Sequence, residues 1–227
     1  MNAEQLLRLL NDGGLTVYPL GLGSIIVLAI VLERVWRFRG IDKGTRALTR
    51  ETIELLVRRD VGGARSVCEK AKTPISAVYL EAMRWKNIAL EDLENILATS
   101  RQELSFDLKR GLWVVGTIGS LAPYVGLFGT VVGIIRAFQD MAEHGAGGFE
   151  VVAAGISEAL VATGAGLFVA IVALMFFNYL QVRVGAIAAT YARSCERFVQ
   201  ALLYLESSSD AEPTQSEVPS GSFVPAQ

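Results

Sequence analysis

Two long apolar stretches, at residues 111–135 and 151–180, constrain most strongly what this chain can fold into. Each stretch carries small residues at spacings of three or four, which place them along one face of a helix. Helix faces in contact with lipid favour bulky side chains, whereas small residues mark a face that packs against protein or lines a narrow path. The two sets are Gly116, Gly119, Pro123, Gly126, Thr130, Gly133 and Ala137 in the first stretch, and Gly155, Ala159, Thr163, Gly166, Ala170 and Ala173 in the second. We call these sets the first and second seam, and we expect the function to depend on them.

Length and composition predict an all-α integral membrane protein with three transmembrane helices. Of the 227 residues 52% are hydrophobic, and the charges cluster outside long neutral windows, as is typical of a single membrane domain. We predict the transmembrane helices at residues 17–38, 111–138 and 151–181. The first is a retained anchor and not a signal peptide, because its apolar run ends in Glu33 and Arg34 without a small-residue cleavage site.

The remaining segments are assigned from charge and composition. Basic residues follow the first and third spans and precede the second, whereas the loop between the second and third spans has neither Lys nor Arg. By the positive-inside rule, the N-terminus lies outside and the C-terminus lies in the cytoplasm. The prediction gives a periplasmic N-terminal segment at 1–16, a cytoplasmic helical domain at 39–110, a periplasmic loop at 139–150, a cytoplasmic helix at 182–205 and a disordered tail at 206–227.

The cytoplasmic domain is predicted to contain four helices, at residues 45–59, 62–70, 74–86 and 90–110. Because nothing breaks the helical pattern before Gly111, we expect the last of them to continue into the second span as one rod.

Three polar side chains in the apolar stretches are candidates for an ion path. Glu158 is the one carboxylate of the third span, and an ionisable group inside a membrane indicates function by default. Thr130 and Thr163 should lie at one depth on antiparallel helices, and a hydroxyl can hold a water molecule or pass a proton. Two alternatives stay open. Glu158 would pair with Arg136 or with a neighbouring copy near the membrane surface, and each threonine would bond a carbonyl of its own helix.

Other classes of function find no support in the sequence. The net charge is −2, and the basic residues lie beside the spans and not among aromatic residues, so no nucleic-acid partner is expected. Cys68 and Cys195 fall in segments predicted as cytoplasmic and share no close spacing with His144, so we expect neither a disulfide nor a zinc site. Without a phosphate-binding loop or a catalytic constellation, we expect no cofactor and no enzyme activity.

The residues of the two seams resemble those of a known family. The run LAPYVGLFGTVVGIIRAF at 121–138, followed by GISEALVATGAGLFVAI at 155–171 and then Asn178, is similar to the ExbB/TolQ branch of the MotA/TolQ/ExbB proton-channel family. The three-span layout matches as well, over about residues 15–200, whereas the four-span arrangement of MotA does not. Val172 stands where the family usually has a proline.

The resemblance implies a ring, typically of five copies of this chain, around two transmembrane helices of an ExbD/TolR-like single-span partner. Each partner helix would bring an intramembrane aspartate. The pore hydroxyls of the family would correspond to Thr130 and Thr163, and Glu158 would match a carboxylate in the outer part of the third span. We also expect neighbouring copies to cover the seams, because one three-helix chain should offer no large surface against which they could pack.

The predicted function is a proton-channel or stator subunit of an ion-driven motor in the bacterial inner membrane, surrounded by membrane lipid. The motor would convert proton motive force into mechanical work. The sequence does not distinguish among outer-membrane transport, envelope maintenance and gliding motility as the load of the motor. It also does not distinguish proton from sodium as the coupling ion. The alternative is a non-conducting membrane scaffold that recruits partners through residues 39–110, because small-residue seams would serve that role too.

Overall fold

The computed structural model describes residues 17–85, 88–144 and 148–210, and these contain helices and no strand. The predicted all-α class is confirmed. The predicted N-terminal segment at 1–16 and residues 211–227 of the predicted tail lie outside the described residues. The helices are α1 (Val17–Phe38), α2 (Ile41–Val57), α3 (Val61–Lys70), α4 (Ile75–Ala82), α5 (Leu90–Lys109), α6 (Leu112–His144) and α7 (Gly148–Asp210).

Three helical stretches of the described residues are long and apolar enough to cross a membrane. They fall within Val17–Val57, Leu112–Glu143 and Val152–Leu205. Large apolar side chains point outward from them, and Ile25 and Phe168 are 67% and 69% exposed. Such a surface is costly in water, so lipid or another protein covers it. The predicted membrane architecture with three transmembrane helices is confirmed.

The connection between α6 and α7 is shorter than the predicted loop at 139–150. α6 continues to His144 and α7 begins at Gly148, so residues 139–144 and 148–150 are helical. The physical reason is local, because neither glycine nor proline occurs from residue 139 to residue 144 to end the helix.

The helix α7 is one continuous element of 63 residues. The sequence predicts two elements here, a span at 151–181 and a separate helix at 182–205. It passes through Val172 without interruption, which is consistent with the absence of a proline there. It also includes residues 206–210, which were predicted to belong to the disordered tail.

The expected rod formed by the last helix of segment 39–110 and the second span is wrong. α5 ends at Lys109 and α6 begins at Leu112. Between them Gly111 has φ +81°, a left-handed conformation that glycine adopts at little cost and that commonly terminates a helix. The signal was Gly111 itself, which the periodicity of the apolar residues obscured.

Residues 17–39 and 106–185 form one compact unit, in which α1, α6 and α7 share a core. Leu20 of α1 packs with Ala122 of α6 and Ala170 of α7. Because two of these three side chains are alanines, the helix backbones approach one another closely.

A buried cation connects two helices of this unit. Arg34 of α1 is only 5% exposed, and its Nη1 donates a hydrogen bond of 3.4 Å to the carbonyl oxygen of Asp107 in α5. Its Nε lies 3.3 Å from the carboxylate of Glu33, without the geometry of a hydrogen bond. The amide of Arg110 donates to the same carbonyl oxygen at 3.4 Å. Since the last turn of a helix leaves carbonyl oxygens short of donors, the guanidinium gives this acceptor at the end of α5 a second donor.

Residues 40–105 and 186–210 belong to a second compact unit. The ring of Tyr79 on α4 stacks on that of Phe198 on α7, with centroids 4.3 Å apart. The hydroxyl groups of Tyr79 and Thr49 form a hydrogen bond of 2.8 Å, which satisfies the buried phenol. Burial also raises the pKa of Tyr79 and of the free thiol of Cys68. The four helices predicted within segment 39–110 are present, as α2 to α5.

Candidate functional site

The two seams pack directly against each other along α6 and α7. A Cβ atom added to Gly133 would lie 2.6 Å from the Cβ of Ala159, and one added to Gly126 would lie 2.9 Å from the carbonyl oxygen of Ala162. Real Cβ atoms essentially never approach other atoms this closely. Glycine is therefore required at these positions, because the methyl group of Ala159 occupies the space beside Gly133 and the backbone of α7 occupies the space beside Gly126.

The expectation that neighbouring copies cover the seams is wrong for most of the seam surface. Gly126, Gly133 and Gly166 face the other helix of the same chain, and a Cβ added to Gly166 would lie 2.7 Å from the carbonyl oxygen of Ala122. The physical reason is that both seams have the same helical spacing and a short connection makes α6 and α7 antiparallel neighbours. Each seam is thus the partner surface of the other.

Some seam members also contact residues outside the two seams. A Cβ added to Gly119 would lie 3.0 Å from the Cγ of Leu174, as well as 3.2 Å from the Cβ of the seam residue Ala173, while Ala170 faces α1 through Leu20. Pro123 is half-buried within α6, which continues past it. Because proline has no amide hydrogen, the carbonyl of Gly119 lacks the donor that a helix normally gives it.

Thr163 makes a polar contact that joins the two seams. Its hydroxyl donates a hydrogen bond of 3.0 Å to the carbonyl oxygen of Gly126 on the opposite helix. The structure therefore contradicts the alternative that Thr163 bonds a carbonyl of its own helix. The Gly126 carbonyl was not predicted as the acceptor. A signal for it existed, because a glycine in a seam has no side chain to cover its backbone oxygen.

Thr130 follows the alternative that the sequence analysis left open. Its hydroxyl donates a hydrogen bond of 2.6 Å to the carbonyl oxygen of Leu127 in its own helix. The side chain is buried, with 9% of its surface exposed. An intrahelical bond of this kind satisfies a hydroxyl inside a membrane span without any partner.

The two threonines lie at nearly the same depth in the membrane. Ala137 faces Gly155 and Gly133 faces Ala159, so a step of four along α6 matches a step of four in the opposite direction along α7. One further step places Thr163 level with Gly129, which is about 1.5 Å along the axis from Thr130. The contacts between the seams therefore support the common depth that the sequence predicted.

Glu158 is exposed on the isolated chain and forms no ion pair with Arg136 among the described residues. It precedes Thr163 by five residues, which separates them by about 7.5 Å along the helix axis and by about 140° around it. The structure therefore places the carboxylate and the hydroxyl on different sides of α7.

Comparison with known proteins now identifies the family. The model of the MotA/TolQ/ExbB proton channel family matches residues 70–193, from within α3 across both seams. This chain belongs to that family. With its three candidate membrane helices, this member of the MotA/TolQ/ExbB family is a protein of the inner membrane.

Relatives in the family carry related names. The chain is 33% identical over 181 residues to a biopolymer transport protein of the ExbB-like type from Synechocystis sp., covering 76% of this chain and 70% of the relative. It is 32% identical over 174 residues to the biopolymer transport protein ExbB of Neisseria meningitidis serogroup A, covering 69% and 76%. It is 44% identical over 88 residues to the Tol-Pal system protein TolQ of Haemophilus influenzae, covering 39% of each chain. The resemblance to the ExbB/TolQ branch is confirmed.

Proposed function

We propose that this chain is the proton-channel and stator subunit of an ion-driven motor. Its copies would form a ring, with the N-terminus of each in the periplasm. The ring would enclose two helices of an ExbD/TolR-like partner whose aspartate carries the proton. The observation that carries the proposal is the hydrogen bond from Thr163 to the Gly126 carbonyl, with Thr130 at almost the same depth. These polar groups lie inside two apolar helices of a proton-channel family.

The direction of both hydrogen bonds determines what the hydroxyls can recognise. A carbonyl oxygen only accepts, so Thr163 and Thr130 each donate their single hydroxyl proton to a backbone carbonyl. The lone pairs of the two hydroxyl oxygens can then accept a hydrogen bond from a bound group. Such a pair favours a protonated carboxyl group or a water molecule, which can donate, over a carboxylate, which cannot.

The packing of the seams limits where the path can run. Because α6 and α7 are in contact through Gly126, Gly133 and Gly166, no partner helix fits between them. The path would therefore follow an edge of the α6–α7 interface, and the half-buried side chain of Thr163 lies at such an edge. Exposed Gly164, beside which an added Cβ would meet nothing within 4 Å, would give a partner helix close access to α7.

The membrane potential supplies enough energy to bias the movement of the partner helices. One proton that crosses 100 mV gains about 2.3 kcal/mol, which changes an equilibrium by about fifty-fold. The partner aspartate would be held near the threonines when protonated and released when ionised, and the ring would supply several equivalent positions. Motion of the partner relative to the ring would then be the mechanical output, without a chemical reaction catalysed by this chain.

The names of the relatives support a load in the cell envelope. Two of the three relatives described above are biopolymer transport proteins and the third belongs to a Tol-Pal system. We therefore place outer-membrane transport and envelope maintenance ahead of gliding motility as the load. The partner would make the contact with the load.

Proton flux in liposomes tests the proposal. The chain would be reconstituted with its single-span partner, and a potassium gradient would drive proton uptake. Thr163→Val keeps the volume but removes the hydroxyl, so we expect the partner-dependent flux to be lost while the ring stays intact. Thr163→Ser is the matched control, because it keeps the hydroxyl and should keep most of the flux.

The same experiment decides between a channel and a scaffold. Thr130→Val should also reduce the flux, since its hydroxyl lies at the same depth. Rings that assemble with both valines present and still conduct like the wild type would exclude the two hydroxyls from the path. A wild-type ring that binds the partner but conducts no protons would favour the scaffold.

A further inference from the structure

The second compact unit carries a basic groove between α2 and α7. The groove has a volume of about 800 Å³, and it is lined by Arg46 and Arg50 of α2 and Arg197 of α7. All three arginines are exposed. Glu54 is the one acidic side chain in the lining. We call this surface the basic face.

An acidic groove lies along the same part of α7, against α5, and shares the lining residue Gln200 with the basic groove. It has a volume of about 520 Å³, and its lining includes Glu94 of α5 and Glu196 of α7. Both glutamates are exposed. Arg101 is the one basic side chain in this lining. We call this surface the acidic face.

The two faces carry opposite net charge. Each also has one side chain of the other sign, Glu54 on the basic face and Arg101 on the acidic face, and these two are opposite in charge as well. Neighbouring positions on α7 carry Glu196 toward the acidic face and Arg197 toward the basic face, because successive helical residues diverge by about 100°. Neither glutamate and none of the three arginines forms an ion pair within the part of the chain that the structure describes. Their charges are thus available for another molecule.

Apolar side chains accompany the charges on both faces. Val57 and Tyr204 line the basic face and are 50% and 58% exposed, while Leu203 lines the acidic face and is 37% exposed. Apolar groups rimmed by charged ones mark a protein interface in a polar segment. Each face therefore complements the other, because both carry apolar side chains and their charges are opposite.

We propose that the acidic face of one copy docks on the basic face of the next copy. The contact joins two different surfaces of one molecule, and head-to-tail contacts of this kind close into rings when the rotation allows. Glu94 and Glu196 would meet the three arginines, and Arg101 would meet Glu54, which fixes the register. The inference rests on the ring of the proposed function but not on proton conduction.

Charge reversal of one face at a time tests the interface. The full chain would be purified in a mild detergent, and the fraction in rings would be measured by native mass spectrometry. We expect Arg50→Glu with Arg197→Glu to lower that fraction about tenfold or more, because like charges across an interface repel each other. Glu94→Arg with Glu196→Arg should have the same effect. Lys72→Glu, an exposed position that lines neither face, is the control and should leave the rings unchanged.

A chain with all four reversals separates loss of the interface from loss of folding. Its two faces have exchanged signs, so each copy again meets an opposite charge, and we expect the rings to return. The proposal is overturned if single-face variants keep wild-type rings, or if the fourfold variant folds but stays monomeric. Proton flux reports on the other proposal, because rings that pass the reversal test without conducting would contradict the channel alone.

Discussion

The hydroxyl of Thr163 and the amide of Thr130 converge on one acceptor, the carbonyl oxygen of Gly126. The hydroxyl donates at 3.0 Å from the opposite helix, and the amide is the regular helical donor four residues later on α6. A carbonyl oxygen has two lone pairs and can accept both. The backbone of α6 and the candidate proton path are thus linked through a residue that has no side chain.

Alanine at Gly126 should destabilise the protein. The added Cβ would meet the backbone of α7 at 2.9 to 3.0 Å, and overpacking of this kind costs about 1–3 kcal/mol. Gly164→Ala is the matched control, because its Cβ would have open space, so we expect no loss. Thermal unfolding in detergent measures the difference. Equal midpoints for the two variants would contradict the close contact of the seams.

Alanine at Gly111 should also destabilise the protein, but for a conformational reason. Its φ of +81° costs an alanine about 1–2 kcal/mol, whereas the nearest side-chain atoms to the added Cβ are at an ordinary 3.8 Å. Gly111→Asn should lose less, because asparagine tolerates the left-handed region better. Denaturant titration of the three proteins would give the order glycine, asparagine, alanine. An alanine variant as stable as the wild type would mean that the break between α5 and α6 is not fixed.

Removal of Arg34 should weaken the connection between α1 and the end of α5. Arg34→Met keeps much of the side-chain length but removes the donor to the carbonyl of Asp107, and we expect a loss of about 1–3 kcal/mol. Arg37→Gln is the control, because its ion pair with Glu33 is exposed and should contribute less than about 1 kcal/mol. Unfolding by a denaturing detergent, followed by circular dichroism, compares the two. A larger loss for Arg37→Gln would reverse the assignment.

Alkaline pH should destabilise the second compact unit. The ordinary pKa of a cysteine thiol is 9.0, and burial raises it for Cys68 in the folded protein. Above pH 9 the unfolded chain therefore releases a proton that the folded chain keeps, so the free energy of unfolding falls as the pH rises, by up to about 1.4 kcal/mol per pH unit. Below pH 9 this contribution is fully present and constant.

The measurement is urea unfolding between pH 7 and pH 10. Cys68→Ala removes one of the two buried thiols of this unit, and we expect a flatter pH dependence above pH 9. Part of the slope should remain, because burial raises the pKa of the other thiol, Cys195, to about 11. The raised pKa of the Tyr79 phenol acts in the same direction, but only above its ordinary value of 10.0. If stability rose with pH in this range, the burial of Cys68 would not hold in solution.

Apolar periodicity predicted the helices well, because burial and membrane insertion both act on runs of many residues. The three membrane helices and the helices of segment 39–110 were found where the pattern placed them. The pattern failed at Gly111, where one backbone angle ended a helix. A single left-handed residue leaves the apolar spacing on both sides unchanged, so periodicity does not detect it.

The candidate site could be predicted only in part. The depth of Thr130 and Thr163 followed from counting residues along antiparallel helices, and the contacts of Gly133 with Ala159 agree with it. The partner of each seam was predicted wrongly, because small residues indicate a close contact without specifying which helix makes it. The bond from Thr163 to a backbone carbonyl could not be predicted either, because every residue carries such an acceptor.

The break at Gly111 has a consequence for how related chains can diverge. In an uninterrupted helix, one inserted residue rotates every later side chain by about 100°. At Gly111 the helical phase ends and begins anew, so an insertion within α5 leaves the orientation of Gly119, Gly126 and Gly133 unchanged. Selection can therefore alter the length and charge of α5 without moving the glycines that let α6 contact α7.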